Sequence, residues 1–181
     1  GLAIILLTVL IKVALYPLTK KQMKSMRAMQ QLQPKMKEIQ NRYKNKDPQK
    51  MQQKIMELYK ENNVNPMAGC LPILLQMPIL IALYRALFKI EYINEAHANF
   101  IWITDLSQKT NIVDPFYILP LLAGISTYLQ SKLTTSTADP TQRIMLITMP
   151  IFIAWISSTV PAGLALYWVV FNVVGAIQQY Y

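Results

Sequence analysis

A lysine at position 12 interrupts an apolar run that extends from Leu2 to Leu18. It lies eight residues before the Lys20-Lys21 pair, which is about 12 Å along a helix rising 1.5 Å per residue. A lysine at such a depth in hydrocarbon costs roughly 2.5 to 3.5 kcal/mol on insertion scales, so it is expected to face protein or water. Snorkelling of its long stem toward the headgroups is the competing reading. Thr8 falls one helical turn before Lys12 and Thr19 two turns after it, a polar stripe on one face. Gln76 and Asn172 occupy the middle of other apolar stretches, with Trp168 one turn before Asn172 and Gln179 two turns after it, and Thr148 and Trp155 share a face of a further one. No Asp or Glu lies within any of these stretches. The set can therefore bind and orient a polar or acidic group, and a hydrated cavity accounts for a lone Lys12 better than a dry core does. The plain alternative for Gln76 and Asn172 is helix-to-helix hydrogen bonding worth about 0.6 kcal/mol each.

Bond-breaking chemistry is not indicated. His97 is the single histidine and reads as a solvated loop residue, and no Ser/His/Asp set, metal cluster or phosphate-cradling glycine loop is visible. Neither an enzyme nor a cofactor is expected. Cys70 is the one cysteine, which excludes an internal disulfide and reads as a small buried thiol. A coupled pump would place acidic residues in its spans, and an inverted-repeat transporter would show two similar halves. Neither is seen.

The elements that must position these residues follow from composition. The 181 residues are 53% hydrophobic and 15% charged with a formal charge of +9, and the two materials are segregated along the chain. Stretches of near-span length, about 20 apolar residues for 30 Å of hydrocarbon, predict an all-α polytopic membrane protein with five transmembrane helices. They are placed at 1–19, 64–88, 116–132, 144–160 and 161–181. Between them lie a cytoplasmic helical hairpin at 20–63, an extracytoplasmic loop at 89–115 and a cytoplasmic loop at 133–143. Orientation comes from charge. The segment 20–63 carries twelve Lys and Arg against Glu38, Asp47, Glu57 and Glu61, which marks it as cytoplasmic. The segment 89–115 has Lys89 and Lys109 against Glu91, Glu95, Asp105 and Asp114, which marks it as external. The N-terminus is then outside and the C-terminus inside. Gly1 enters an apolar stretch with no basic segment before it, as the interior of a longer protein would. Phe100 to Ile103 read as an apolar patch at the outer headgroups.

Within the basic segment, Met23, Met26, Met29, Leu32, Met36, Ile39 and Tyr43 recur at helical spacing, with a break or kink expected at Pro34. Asp47-Pro48 is an N-cap followed by a first-turn proline and opens a second helix, with Met51, Ile55 and Leu58 inward, that Asn62 and Asn63 end. The hairpin's six methionines, Met23, Met26, Met29, Met36, Met51 and Met56, suit adaptable contacts with varied apolar sequences. A hairpin core of its own is the alternative use for them. Its aromatics are only Tyr43 and Tyr59, too few for a stacking platform, so the positive charge points to a membrane surface and not to specific DNA binding.

Five strings then carry a resemblance: KVALYP from Lys12, MQQLQP from Met29, VNPMAGCLPILLQMPILI from Val64, DPFYILP from Asp114 and PAGLALYWVVFNVVGAIQQ from Pro161. Together and in order they resemble the YidC insertases, relatives of the Oxa and Alb insertases of organelles. The resemblance implies five core helices around a hydrophilic groove and a mobile cytoplasmic hairpin in the inner membrane of a bacterium. It also implies a chaperone that moves segments of newly made membrane proteins into the bilayer, with ribosomes and the Sec translocon as partners. The family commonly has arginine where Lys12 stands; lysine keeps the charge but not the planar fork. Thr8, Lys12, Gln76, Thr148, Trp155, Trp168 and Asn172 are the expected groove residues. A channel or solute transporter and a structural assembly factor remain as alternatives.

Overall fold

The computed structural model of the chain describes residues 1–43, 47–65, 71–89, 98–134 and 140–180. The expected burial of Cys70, the solvated role of His97 and the hairpin turn at 44–46 lie outside these residues.

The first helix, α1 (Leu2–Ala14), ends earlier than its apolar run. The chain bends by 64° at Leu15 and continues as α2 (Tyr16–Tyr43). Pro17 causes the bend, because it has no N–H to donate one turn back and its ring crowds the preceding turn. The Thr19 hydroxyl donates to the Leu15 carbonyl at 3.0 Å and helps satisfy the break. Of the break or kink expected at Pro34, a break does not occur: the proline sits inside α2, where buried Leu32 and Met36 pack on the returning helix. The return is α3 (Pro48–Glu61), whose N-cap Asp47 accepts from the Lys50 amide at 3.0 Å. The Asn62 side chain donates to the Leu58 carbonyl at its other end, and Asn63 turns the chain at φ 53°. Leu32, Met36, Leu58, Tyr59 and Val64 make a small core between the two helices.

The remaining helices are α4 (Leu71–Phe88), α5 (Thr110–Val113), α6 (Ile118–Thr134), α7 (Pro140–Thr159) and α8 (Ala162–Tyr180). Helix α8 is central and packs against α1, α4, α6 and α7, while α6 lies along α7. The close approach of α6 and α7 depends on Gly124, where a Cβ would come within 3.0 Å of the Ala154 Cβ and 3.1 Å of the Pro150 carbonyl. Small residues permit such approach where no hydrophobic drive separates lipid from helix.

One end of the bundle is closed by an apolar core of Ile4, Leu87, Ile103, Leu106, Val113, Leu119, Ala162 and Tyr167. Segment 98–110 is stitched to the α7–α8 turn: the Thr110 amide and hydroxyl donate to the Val160 carbonyl, the Ala162 amide to Gln108 and the Gly163 amide to Leu106, all at 2.8 to 2.9 Å. Buried Asp114 accepts from the Leu119 amide at 2.6 Å and caps the start of α6. The expected outer patch divides. Ile103 enters the core and Phe100 packs on it, whereas Ile101 and Trp102 remain exposed.

The all-α class stands, but five membrane-spanning helices do not. Among the described residues one helix, Ala162–Gln179, is long and apolar enough to cross a bilayer, and a second exists only if the bent α1–α2 pair is taken as one span. The physical reasons differ by element. Helix α1 has 13 residues, about 20 Å at 1.5 Å per residue. For α4 and α7, the parts whose side chains are described, Leu74–Phe88 and Arg143–Thr159, are apolar but of less than span length. Helix α6 breaks its apolar run with Ser126, Thr127, Gln130, Ser131 and Lys132. The multi-pass topology, with its N-terminus outside and C-terminus in the cytoplasm, is corrected on the same finding.

Candidate functional site

Helices α1 and α8 run side by side in the same sense. A Cβ on Gly163, near the start of α8, would lie 3.0 Å from the Ile4 side chain, and one on Gly175, three turns on, would lie 2.9 Å from the Lys12 Nζ. Ile4, Thr8 and Lys12 succeed one another at four-residue spacing, so all three meet α8. All are buried, with Lys12 only 5% exposed. The outer face of the same helix carries Leu2, Leu6, Leu10 and Val13, each more than 60% exposed. The lysine therefore points inward and does not snorkel along the apolar face.

The Lys12 ammonium stands 3.4 Å from the centroid of the Phe171 ring. Beside it, over the bare Cα of Gly175, lies the Gln130 side chain of α6. Farther along this seam the Asn172 Nδ2 donates to the Thr127 hydroxyl at 2.8 Å and to the Ser126 hydroxyl at 3.2 Å. Gln178 donates to the Lys12 carbonyl at 3.2 Å. The polar character continues to the base of α2, where Arg27 reaches the Gln179 carbonyl at 3.4 Å. Buried there without hydrogen-bond partners are the Gln22 Nε2 and the Oε1 atoms of Gln178 and Gln179. Among the described residues no carboxylate lies within ion-pair distance of Lys12. The seam is thus a strip of hydroxyls and amides around one buried positive charge, closed at one end by the apolar core.

Of the residues singled out from sequence, the structure brings Thr8, Lys12 and Asn172 into the seam. The Thr8 hydroxyl turns back to the Ile4 carbonyl at 2.6 Å. Gln76 instead donates to the Tyr167 hydroxyl at 2.7 Å, tying α4 to the apolar core, and Trp168 is half-buried beyond it. Thr148 and Trp155 lie on the exposed face of α7; the Thr148 hydroxyl returns to its own helix and Trp155 is 64% exposed beside Phe152. In the hairpin, Met36 is buried and accepts a contact from the Tyr59 hydroxyl at 3.1 Å, and Met29 packs on the same core. Met23, Met26 and Met51 are half-buried, and Met56 is half-exposed.

Sequence reasoning passed over Phe171, Gly175, Ser126, Thr127, Gln130 and Gln178. Ser126, Thr127 and Gln130 do leave a signal, a polar run within an apolar helix, and Gly175 follows Asn172 by about one turn. That these groups converge on Lys12 depends on which helices become neighbours.

An all-α bundle with exposed apolar outer faces, one span-length helix among the described residues and a buried polar seam around Lys12 is the arrangement of a helical membrane protein. The chain belongs to the 60Kd inner membrane protein family, the YidC insertases, whose family profile matches residues 1–181. It is 48% identical over 183 residues to the membrane protein insertase YidC of Geobacter sulfurreducens, covering 100% of this chain and 33% of that protein. It is 49% identical over 180 residues to the YidC of Pseudoalteromonas atlantica, covering 98% and 32%. A crystal structure of an active YidC insertase with the first transmembrane domain resolved matches with a TM-score of 0.80 and 31% identity, over 100% of this chain and 41% of that one. The chain thus spans about a third of the length of the curated relatives it matches. Family membership places it in the inner membrane.

Proposed function

We propose that this chain is the segment-handling core of a membrane protein insertase and chaperone. It takes hydrophobic segments of newly made proteins from the cytoplasm and passes them into the bilayer, with their polar or acidic flanks touching the Lys12 seam on the way. The observation that carries this reading is the buried Lys12, which has the Phe171 ring of α8 and the Gln130 side chain of α6 beside it and, among the described residues, no carboxylate within ion-pair distance. A cation without a carboxylate keeps its field available to an incoming one, and that attraction is stronger in a poorly screened site than in bulk water. The exposed apolar faces of α1, α4, α6 and α7 suit the lipid side of the passage. Energy comes from the client, since burying its apolar surface is favourable by roughly 25 cal/mol per Å². The half-exposed Met56 and the half-buried methionines of the hairpin suit first contact with varied sequences. Ribosomes and the Sec translocon are the upstream partners this role calls for.

The test is reconstitution of the purified protein with a small single-span client in two forms that differ by one Asp or Asn in the translocated end. Lys12→Arg should keep or raise insertion. Lys12→Ala and Lys12→Glu should lower it, most for the Asp client. Equal insertion of both clients by wild type and Lys12→Ala, at matched protein levels, removes the charge-assisted role of Lys12.

A further inference from the structure

Several polar groups of the seam are already engaged, and the Gln130 side chain of α6 lies beside the ammonium over Gly175. The Thr8 hydroxyl is spent on the Ile4 carbonyl, the Asn172 amide on Ser126 and Thr127, and the Gln178 amide on the Lys12 backbone. Against an ammonium that is 5% exposed lies the face of Phe171, 3.4 Å away at its centroid, which helps to offset its dehydration. This lies well inside the roughly 6 Å range over which a ring quadrupole attracts a cation. Phe171 and Gly175 are one turn apart on α8, so one side chain forms the floor under the ammonium and the absent one leaves the space beside it. An alanine at 175 would put its Cβ 2.9 Å from Nζ and 2.6 Å from the Gln130 Nε2.

We propose that Phe171 is a positioning residue that seats the Lys12 ammonium against α8 and thereby sets how strongly the site favours acidic clients. This deepens the reading of Lys12 as the client contact and rests on it. A carboxylate partner would hold the ammonium equally well but would cancel its field. The ring restrains the charge without neutralising it. An ammonium has three donors, so one face can rest on the ring while the other meets an arriving carboxylate. A flexible lysine then behaves as a fixed charge, which offsets part of what it lacks beside arginine.

Two measurements test the seat. In protein carrying isotope-labelled lysine, assigned with Lys12→Arg, the Lys12 ε-methylene resonance should be shifted upfield by the ring and should return to the ordinary position in Phe171→Leu. In vesicles, the ratio of insertion of the Asp client to the Asn client should fall about threefold in Phe171→Leu, the scale of one cation–π contact. Phe171→Tyr should restore it. Replacing Phe171 with mono-, di- and trifluorophenylalanine, which weakens the ring's face and hardly changes its shape, should lower the ratio stepwise. An ε-methylene resonance that does not move in Phe171→Leu overturns the seat, and a ratio that is flat across the fluorinated series overturns its role in client choice. A shifted resonance with no preference for the Asp client in the wild type overturns the earlier reading of Lys12 and leaves the seat standing.

Discussion

The side-chain amide of Asn172 donates to the Thr127 hydroxyl at 2.8 Å, and this bond crosses from α8 to α6 within the polar seam. The Ser126 hydroxyl accepts from the same nitrogen at 3.2 Å. At about 0.6 kcal/mol for each interhelical bond of this kind, Asn172→Ala should destabilise the bundle by about 1 kcal/mol. Thermal unfolding in detergent measures it. Thr127→Val should cost less, and the double variant should fall short of the sum, because the two residues share a bond.

Gly163 has no space for a side chain. A Cβ there would lie 2.9 Å from Leu87, 3.0 Å from Ile4 and 3.1 Å from the Leu106 carbonyl. Gly163→Ala should force α8 away from α1 or from segment 98–110 and destabilise the protein by about 1 to 3 kcal/mol, as overpacking does. Wild-type unfolding by the alanine variant would show that the apolar end yields more freely than its contacts indicate.

The hairpin should open locally well before the bundle. Its core is five buried residues between two otherwise charged helices, while α8 packs against five other helices. Local opening energies follow buried contact density. Amides of α2 beyond Ala28 and of α3 should therefore exchange faster than those of α8 between Leu164 and Asn172, by orders of magnitude in hydrogen-exchange mass spectrometry. Equal protection in both would end the idea of a mobile hairpin.

Asp105 supplies a pH dependence outside the buried seam. Partial burial pushes its carboxyl up, but the Ser107 hydroxyl and amide and the Gln108 side chain hydrogen-bond to it and hold it below its ordinary value. A carboxylate depressed on folding adds stability that is present above its unfolded pKa, roughly 4, and is lost as pH falls through the folded value. Acid unfolding of Asp105→Asn should lack this component. The variant should differ from wild type at neutral pH and converge with it in strong acid.

Much of the local architecture was legible because it depends on neighbours in sequence. The Asp47-Pro48 start of α3 needs only a short acceptor and a fixed φ, and Asn62 and Asn63 close it by equally local means. Lys12 declared itself because a lone cation in an apolar run has few tolerable settings. Two local expectations needed the tertiary structure to be placed. Pro34 does not break α2, where Leu32 and Met36 pack on α3, and Thr148 and Trp155 share a face of α7 that is exposed. The count of membrane-crossing helices is corrected as well, since the apolar run of α1 passes through a bend and that of α6 through polar residues.

The sequence by itself determined that the chain is α-helical, that its charge is gathered in one hairpin, and which family it resembles. These are properties of composition and of spacing at 3.6 residues per turn, which require no knowledge of distant contacts. Only the tertiary structure decided that Lys12 rests on Phe171, that Gly175 leaves room for its ammonium, and that Asn172 reaches across to α6 while Gln76 is tied to Tyr167. Each of those pairs joins residues 45 to more than 150 positions apart, brought together by the packing of α8 against α1, α4 and α6, so no local pattern could encode which side chains would meet.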